Sequence, residues 1–482
     1  MRHLRLAAVL YFSVSLFAQV DPAVIKDAQV IAGRALVGGQ TYQYLQQMTD
    51  RFGPRLTGTE NYNQAAAWAA EQFRTMGIKD VRMEPFTLQD SWQRASSSGR
   101  ILAPVQRPLH VEPLGWTPST PAGGIHGQIY LLRDISEQGI RAHAADIKGR
   151  VVLLDVNAVF AGANQYRGWT AFENMAPLLK DAGVLGVLMG FSRPEEVIST
   201  SAVNWVGRME PLPLACIGLE DNALLMRVAE QGNATVEYEY TVKSGGPVTA
   251  NDVVAEIRGS EKPDEWIIIG AHLDSWDFAT GAQDNGSGTG QVLEAARILS
   301  SLGHPPKRSI RFALWGGEEE GLVGSRAYVH NHASELDRCV AVLNTDNGAG
   351  HPLGWKVQGR DDVAQFLRPL SEPLLAPLGA TDISKKITFD TDHGFFMLQG
   401  VPSLDMEVDM KSYDEIHHTV GDTLDKVDPH PLQDGTALLA VTAWAIAQNP
   451  QRIAPRLSQK EVDKLIAPDG LSDYVRHLGE WK

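Results

Sequence analysis

The chain has 482 residues, 43% of them hydrophobic and 21% charged, with 58 acidic against 43 basic side chains and a net charge of −15. That length suggests two or three globular domains at roughly 100–200 residues each. The negative balance, with no Lys/Arg-rich run, excludes the electrostatic footprint of a nucleic-acid binder.

The N-terminus "MRHLRLAAVLYFSVSLFAQV" places Arg2 and Arg5 before an apolar run ending at Phe17, then the small Ala18. A run that short reads as a secretory signal over residues 1–18 rather than an anchor, and no later stretch is apolar enough to span a bilayer. The expectation is an exported protein, secreted or periplasmic. "ENYNQAAAWAAEQFRTMG" has helical apolar spacing and a glycine stop, and the strand signal "KDVRMEPF" follows. Residues 97–125 are rich in Pro, Gly and Ser. Beyond them the short β-type runs "GQIYLLR", "GRVVLLDV", "GVLGVLMG" and "ATVEYEYTV", with the helical "TAFENMAPLLKDAG" among them, predict a small α/β insert over 123–244. After 250 the pattern is regular: "EWIIIGAH", "RSIRFALWG", "CVAVLNTD" and "VPSLDMEV" are continuous apolar strands separated by helices. This predicts an α/β main domain, 22–122 and 245–450, with a mostly parallel-cored sheet flanked by helices. Residues 451–482 form a helical tail. Cys216 and Cys339 lie outside any C-x-x-C or Cys/His cluster and are read as buried thiols.

The stretch "AHLDSWDFATGAQDNGSGTG" gathers His272, Asp274, Asp277 and Asp284 in one loop. Open α/β sheets form their sites beyond the carboxyl ends of the strands. His272 follows one predicted strand, Glu318 and Glu319 another, Asp346 a third, and His418 arrives from a loop after a fourth. So many carboxylates in one crevice repel each other unless cations neutralise them. Two imidazoles with three carboxylates and no thiolate suit zinc or a similar divalent ion. A pair of ions about 3.5 Å apart, bridged by one carboxylate, can polarise a carbonyl and generate hydroxide.

The set "HLDSWD…DNGSG", "WGGEEEG", "NTDNG" and "HHTVGDT", with the early "RLTGTENYNQAAAWAAEQF" and the late "TDHGFFMLQGVPSL", resembles the co-catalytic zinc exopeptidases, the family of secreted aminopeptidases and carboxypeptidase Q-like dipeptidases. The resemblance runs from about 40 to 445, in family order. It implies two Zn2+ per chain. Asp284 would be the bridging ligand, with His272 and Asp346 completing one site and Glu319 and His418 the other. Glu318 would be the general base, and Asp274 the carboxylate that orients His272. His418 is preferred to His417 because the family places its ligand directly before a Thr or Ser. The insert resembles a protease-associated domain. Glu320 and Asp277 are read as solvated loop carboxylates, Asp392 and His393 as structural or cleft-lining. Among the tryptophans only Trp276 is placed near substrate.

The implied activity is hydrolysis of short peptides or dipeptides with free termini, with a homodimer left open. Lys411, Arg326 and Lys386 are the candidates for binding a free carboxylate. The alternative is an aminopeptidase acting on longer peptides. A non-catalytic binding module fits less well, since ligands and base are all present. So does a single-zinc glutaminyl cyclase, which has no need of both His272 and Asp346.

Overall fold

The computed structural model describes residues 20–156, 164–190, 195 and 197–482, so the expected signal peptide lies outside the described residues. The larger sheet is built on four parallel strands, in the order Arg308–Trp315, Lys262–His272, Cys339–Asn344 and Ser403–Val408. On one side it is extended by antiparallel Val248–Ile257 and then Asp80–Leu88, on the other by antiparallel Pro352–Lys356 and then Asp382–Ser384. Alternate side chains of a strand leave opposite faces. Ile267 and Ile269 accordingly join one core with Leu293, Phe312 and Trp444, while Trp266 and Ile268 join a second with Tyr328 and Phe396. Both faces are covered, which is why these strands read as unbroken apolar runs. The expected mostly parallel, helix-flanked α/β fold is the one observed.

Among the described residues the smaller sheet has eight strands, with the parallel set Ile125–Leu132, Val151–Leu154, Gly186–Gly190 and Leu214–Ile217 at its centre. It begins before the compositional boundary at 123. Trp92–Ala103 lies antiparallel to Thr235–Ser244, and Val111–Pro113 pairs with Leu214–Ile217. The Ser- and Gly-rich sequence of Trp92–Ala103 resembles a linker because most of the strand is exposed or only partly buried. The chain passes between the sheets at residues 89–91 and 245–247.

The tail makes two helices, Gln459–Ile466, opened by a capping box at Ser458, and Leu471–His477. Its Tyr474 hydroxyl donates to Glu173 on the helix Gln165–Asp181, and its Glu480 accepts from Arg326 at 2.6 Å. The tail therefore touches both sheets' layers. Cys216 and Cys339 are buried and unpaired, as expected. Among the described residues no helix is long and apolar enough to cross a membrane.

Candidate metal centre

The four parallel strands end at one edge. His272 is the last residue of its strand, beside Trp315 in register, and the turn after Trp315 carries Glu318 and Glu319. Asp346 stands two residues beyond Asn344, the end of the third strand. Asp284 precedes the helix Ser287–Ser300, and His418 follows the helix Lys411–Ile416.

The Asp284 carboxylate lies between the two histidines. Its Oδ1 is 3.2 Å from His272 Nε2 and its Oδ2 is 3.2 Å from His418 Nε2. His272 Nε2 is also 3.0 Å from Asp346 Oδ1, and His418 Nε2 is 2.9 Å from Glu319 Oε2. Ligand atoms on a tetrahedral zinc, each about 2.0–2.1 Å from the ion, stand about 3.3 Å apart, so these spacings match a coordination shell. His272, Asp284 and Asp346 form one compact group; Asp284, His417 and His418 form the other. His417 is the less direct neighbour, with Nε2 3.5 Å from Asp284 Oδ2 and its ring stacked on His418. Asp284 Oδ2 and Glu319 Oε1 are buried without a hydrogen-bond partner, which is costly unless a cation faces them. The mixed imidazole and carboxylate set therefore fits zinc.

Each imidazole is oriented from behind. His272 Nδ1 lies 3.1 Å from the main-chain oxygen of Asp274 and 3.5 Å from its carboxylate. His418 Nδ1 donates to the carbonyl of Thr200 at 3.2 Å, while the Thr200 N–H donates to the His418 carbonyl. These contacts leave both Nε2 atoms facing Asp284. His418 has φ 60°, a left-handed conformation unfavourable for a side-chain-bearing residue. The paired Thr200 segment holds it there.

The electrostatics express the same crowding. Burial would raise the Asp284 pKa, but the adjoining imidazoles of His272 and His418 hold it well below the carboxylate range. Burial pushes Glu318 well above that range and Glu319 up to about 7. Burial opposes charge on His418, yet Glu319 and Asp284 drive its pKa up to about 10. His272 is raised in the same way, chiefly by Asp346 and Glu318.

Two residues essential to this geometry are missed by the sequence reading. Arg55 is fully buried and donates to the carbonyls of Leu273, Gly53, Thr280 and Gly281, clamping the loop between His272 and Asp284. Burial lowers its pKa to about 10. Asp422 accepts from the backbone N–H groups of Gln283 and Asp284 at 2.6 and 3.1 Å, fixing the bridging carboxylate. Both lie inside quoted motifs, "RLTGTE" and "HHTVGDT", but only the folded chain brings them to the loop.

Other expectations need correction. Glu320 is not solvated: it is fully buried, and burial followed by the Asp274 charge raises its pKa far above normal. The next residue, Gly321, has φ 110°, and a Cβ there would stand 2.3 Å from the Trp205 backbone, so another segment lies against this loop. Asp277 is only partly exposed, and both its oxygens accept from Arg94. Trp276 is buried behind His418 against Trp116 rather than facing the cavity. Arg326 is committed to Glu480, and neither Lys411 nor Lys386 lines the cavity. Asp392 and His393 are buried and neither lines it, which leaves the structural one of their two expected roles.

A cavity of about 350 Å³ opens onto Asp284, Glu318, Asp346 and His418. Residues 252–443, the segment holding every one of these groups, match peptidase family M28. Over that segment the chain is similar to this family. It is 29% identical to carboxypeptidase Q of Bos taurus over 415 residues, 85% of each chain. It is 25% identical to aminopeptidase YwaD of Bacillus subtilis (strain 168), covering 88% of each. Among solved structures, the peptidase M28 precursor from Shewanella amazonensis SB2B superposes with a TM-score of 0.79 at 28% identity, over 90% of this chain and 99% of that one. The match and these relatives make the chain an enzyme of the peptidase class.

Proposed function

We propose that the protein is an exported di-zinc exopeptidase that hydrolyses short peptides, dipeptides above all, with a free amino terminus. The observation that carries this reading is the Asp284 carboxylate, with one oxygen toward His272 and the other toward His418. His272, Asp284 and Asp346 would hold one ion, and Asp284, Glu319 and His418 the other. Zinc bound there would supply Lewis acidity toward the scissile carbonyl and toward water. Glu318 lines the cavity beside Asp346, and burial raises its affinity for a proton. It takes a proton from the attacking water at one carboxylate oxygen and delivers it to the leaving amine. Asp274 and the Thr200 carbonyl keep the two imidazoles in the productive orientation.

Recognition of a free amine follows from the lining. Asp284, Glu318, Asp346, Asp390 and Asp414 face the cavity, and no Lys or Arg does so among the described residues. An ammonium group is attracted to such a site, whereas a free carboxylate finds no fixed cation there. The export reading rests on residues 1–18. The 123–244 insert is proposed as a protease-associated-like domain that narrows the entrance.

The test is metal analysis of the purified protein, combined with hydrolysis of one dipeptide in free, N-acetylated and C-amidated forms. Two zinc ions per chain and a rate lost on acetylation are expected. At most one tightly bound ion with zinc in excess would overturn the two-metal site. A rate unchanged by acetylation would overturn amine recognition. A rate unchanged by amidation favours the aminopeptidase reading.

A further inference from the structure

The cavity at the metal centre is not uniformly polar. Carboxylates and imidazoles line it, but so do apolar groups. Trp169 and Trp205 adjoin each other in the lining, and Met410 and Tyr413 line it as well. Both tryptophans come from the part of the chain predicted as an insert, far in sequence from every candidate metal ligand. Trp169 projects from the helix Gln165–Asp181, and Trp205 from the segment that lies on Gly321, one turn beyond Glu318.

The wall is braced from behind. Trp169 and Trp205 pack with ring centroids 5.5 Å apart, and Trp205 stacks nearly parallel on Phe389 at 6.2 Å. Tyr474 of the tail packs edge-on against both, and its hydroxyl is tied to Glu173. Both tryptophans nevertheless remain only partly buried. Large aromatic rings held in place by their neighbours and left partly open beside a reactive centre are the usual means of binding an apolar group at little ordering cost.

We propose that Trp169 and Trp205 form the subsite for a bulky apolar side chain, aliphatic or aromatic, of a residue flanking the scissile bond. The protein thus selects Leu- or Phe-like residues over Gly at one position of its peptide. The proposal rests on the exopeptidase reading for its substrate, but the subsite can be read without turnover.

Two measurements test it. In the first, kcat/KM is compared for Phe-Ala, Leu-Ala and Gly-Ala and for the reversed dipeptides, using the zinc-loaded protein and its Trp169→Ala, Trp205→Ala and Trp205→Phe variants. At one position the apolar residue should exceed Gly by about tenfold or more. Each Ala variant should cut that ratio severalfold, and Trp205→Phe should keep most of it. In the second, the wild-type protein is titrated with free phenylalanine and with glycine, followed by tryptophan fluorescence. Phenylalanine should bind at least about tenfold more tightly.

Equal rates for Phe, Leu and Gly at both positions would overturn the proposal. So would a ratio unchanged in both Ala variants, with folding verified by thermal melting. Should the Ala variants not fold, the titration decides, and equal binding of the two amino acids refutes the subsite. If no dipeptide is cleaved but phenylalanine binds selectively, the exopeptidase reading fails and the subsite stands.

Discussion

At the scale of single residues, Asp284 differs from the other ligand candidates because both its oxygens are engaged, each with a different imidazole. Asp284→Ala should therefore abolish binding of both ions, whereas His418→Ala should weaken mainly one; titration with zinc, monitored by competition with a chromogenic chelator, separates the two outcomes. Glu318 lines the cavity and Glu320 does not. Glu318→Gln should retain the metals and lower kcat by at least about a hundredfold, the usual scale for a lost general base, as steady-state kinetics would show. Glu320→Gln substitutes an amide for a carboxyl whose pKa burial raises and which does not reach the cavity, so turnover should change far less. The candidate ligands are named from the sequence because each follows a strand or loop signal with a distinctive chemistry, and the fold brings them together. Glu320 was misread because exposure of a loop residue depends on what covers it. Here Trp205, more than a hundred residues earlier, lies against the adjoining Gly321.

At the scale of elements, strand and helix positions followed from continuous apolar runs punctuated by glycine, because a sheet covered on both faces leaves few polar positions. The strand Trp92–Ala103 escaped notice for the opposite reason: its exposed positions are filled by Ser, Gly and Arg rather than by β-branched residues. The tail's role was equally hidden, since its anchors are pairwise contacts with distant chain. Glu480 illustrates them. Burial would raise its pKa, but His330 and then Arg326 hold it below the ordinary carboxylate value. A carboxylate depressed on folding contributes stability that is present above its unfolded pKa, near 4.3, and is lost as pH falls through the lower folded value. Glu480→Gln should cost about 1–3 kcal/mol at neutral pH, the range for a hydrogen-bonded charged group. The difference from wild type should shrink as pH falls below the unfolded value, as denaturant unfolding measured at neutral and acidic pH would reveal.

At the scale of the whole molecule, the two sheets are connected by more than the crossings of the chain. The backbone of Ser199 forms a bridge with Thr419, and Thr200 exchanges hydrogen bonds with His418. The Trp205 backbone presses on the acidic loop at Gly321. The second layer thus walls the cavity, whose volume of about 350 Å³ lies near the lower end of ligand sites. Rates should fall as a peptide lengthens from two residues to six, as a homologous alanine series compared by kcat/KM would show; a flat or rising series would mean that the entrance is wider than this packing allows. The Thr200 carbonyl on His418 has one more consequence. An enzyme rebuilt by exchanging this layer for that of a relative would inherit a new orienting group for its histidine. Its affinity for metal, and not its substrate range alone, would travel with the exchanged piece.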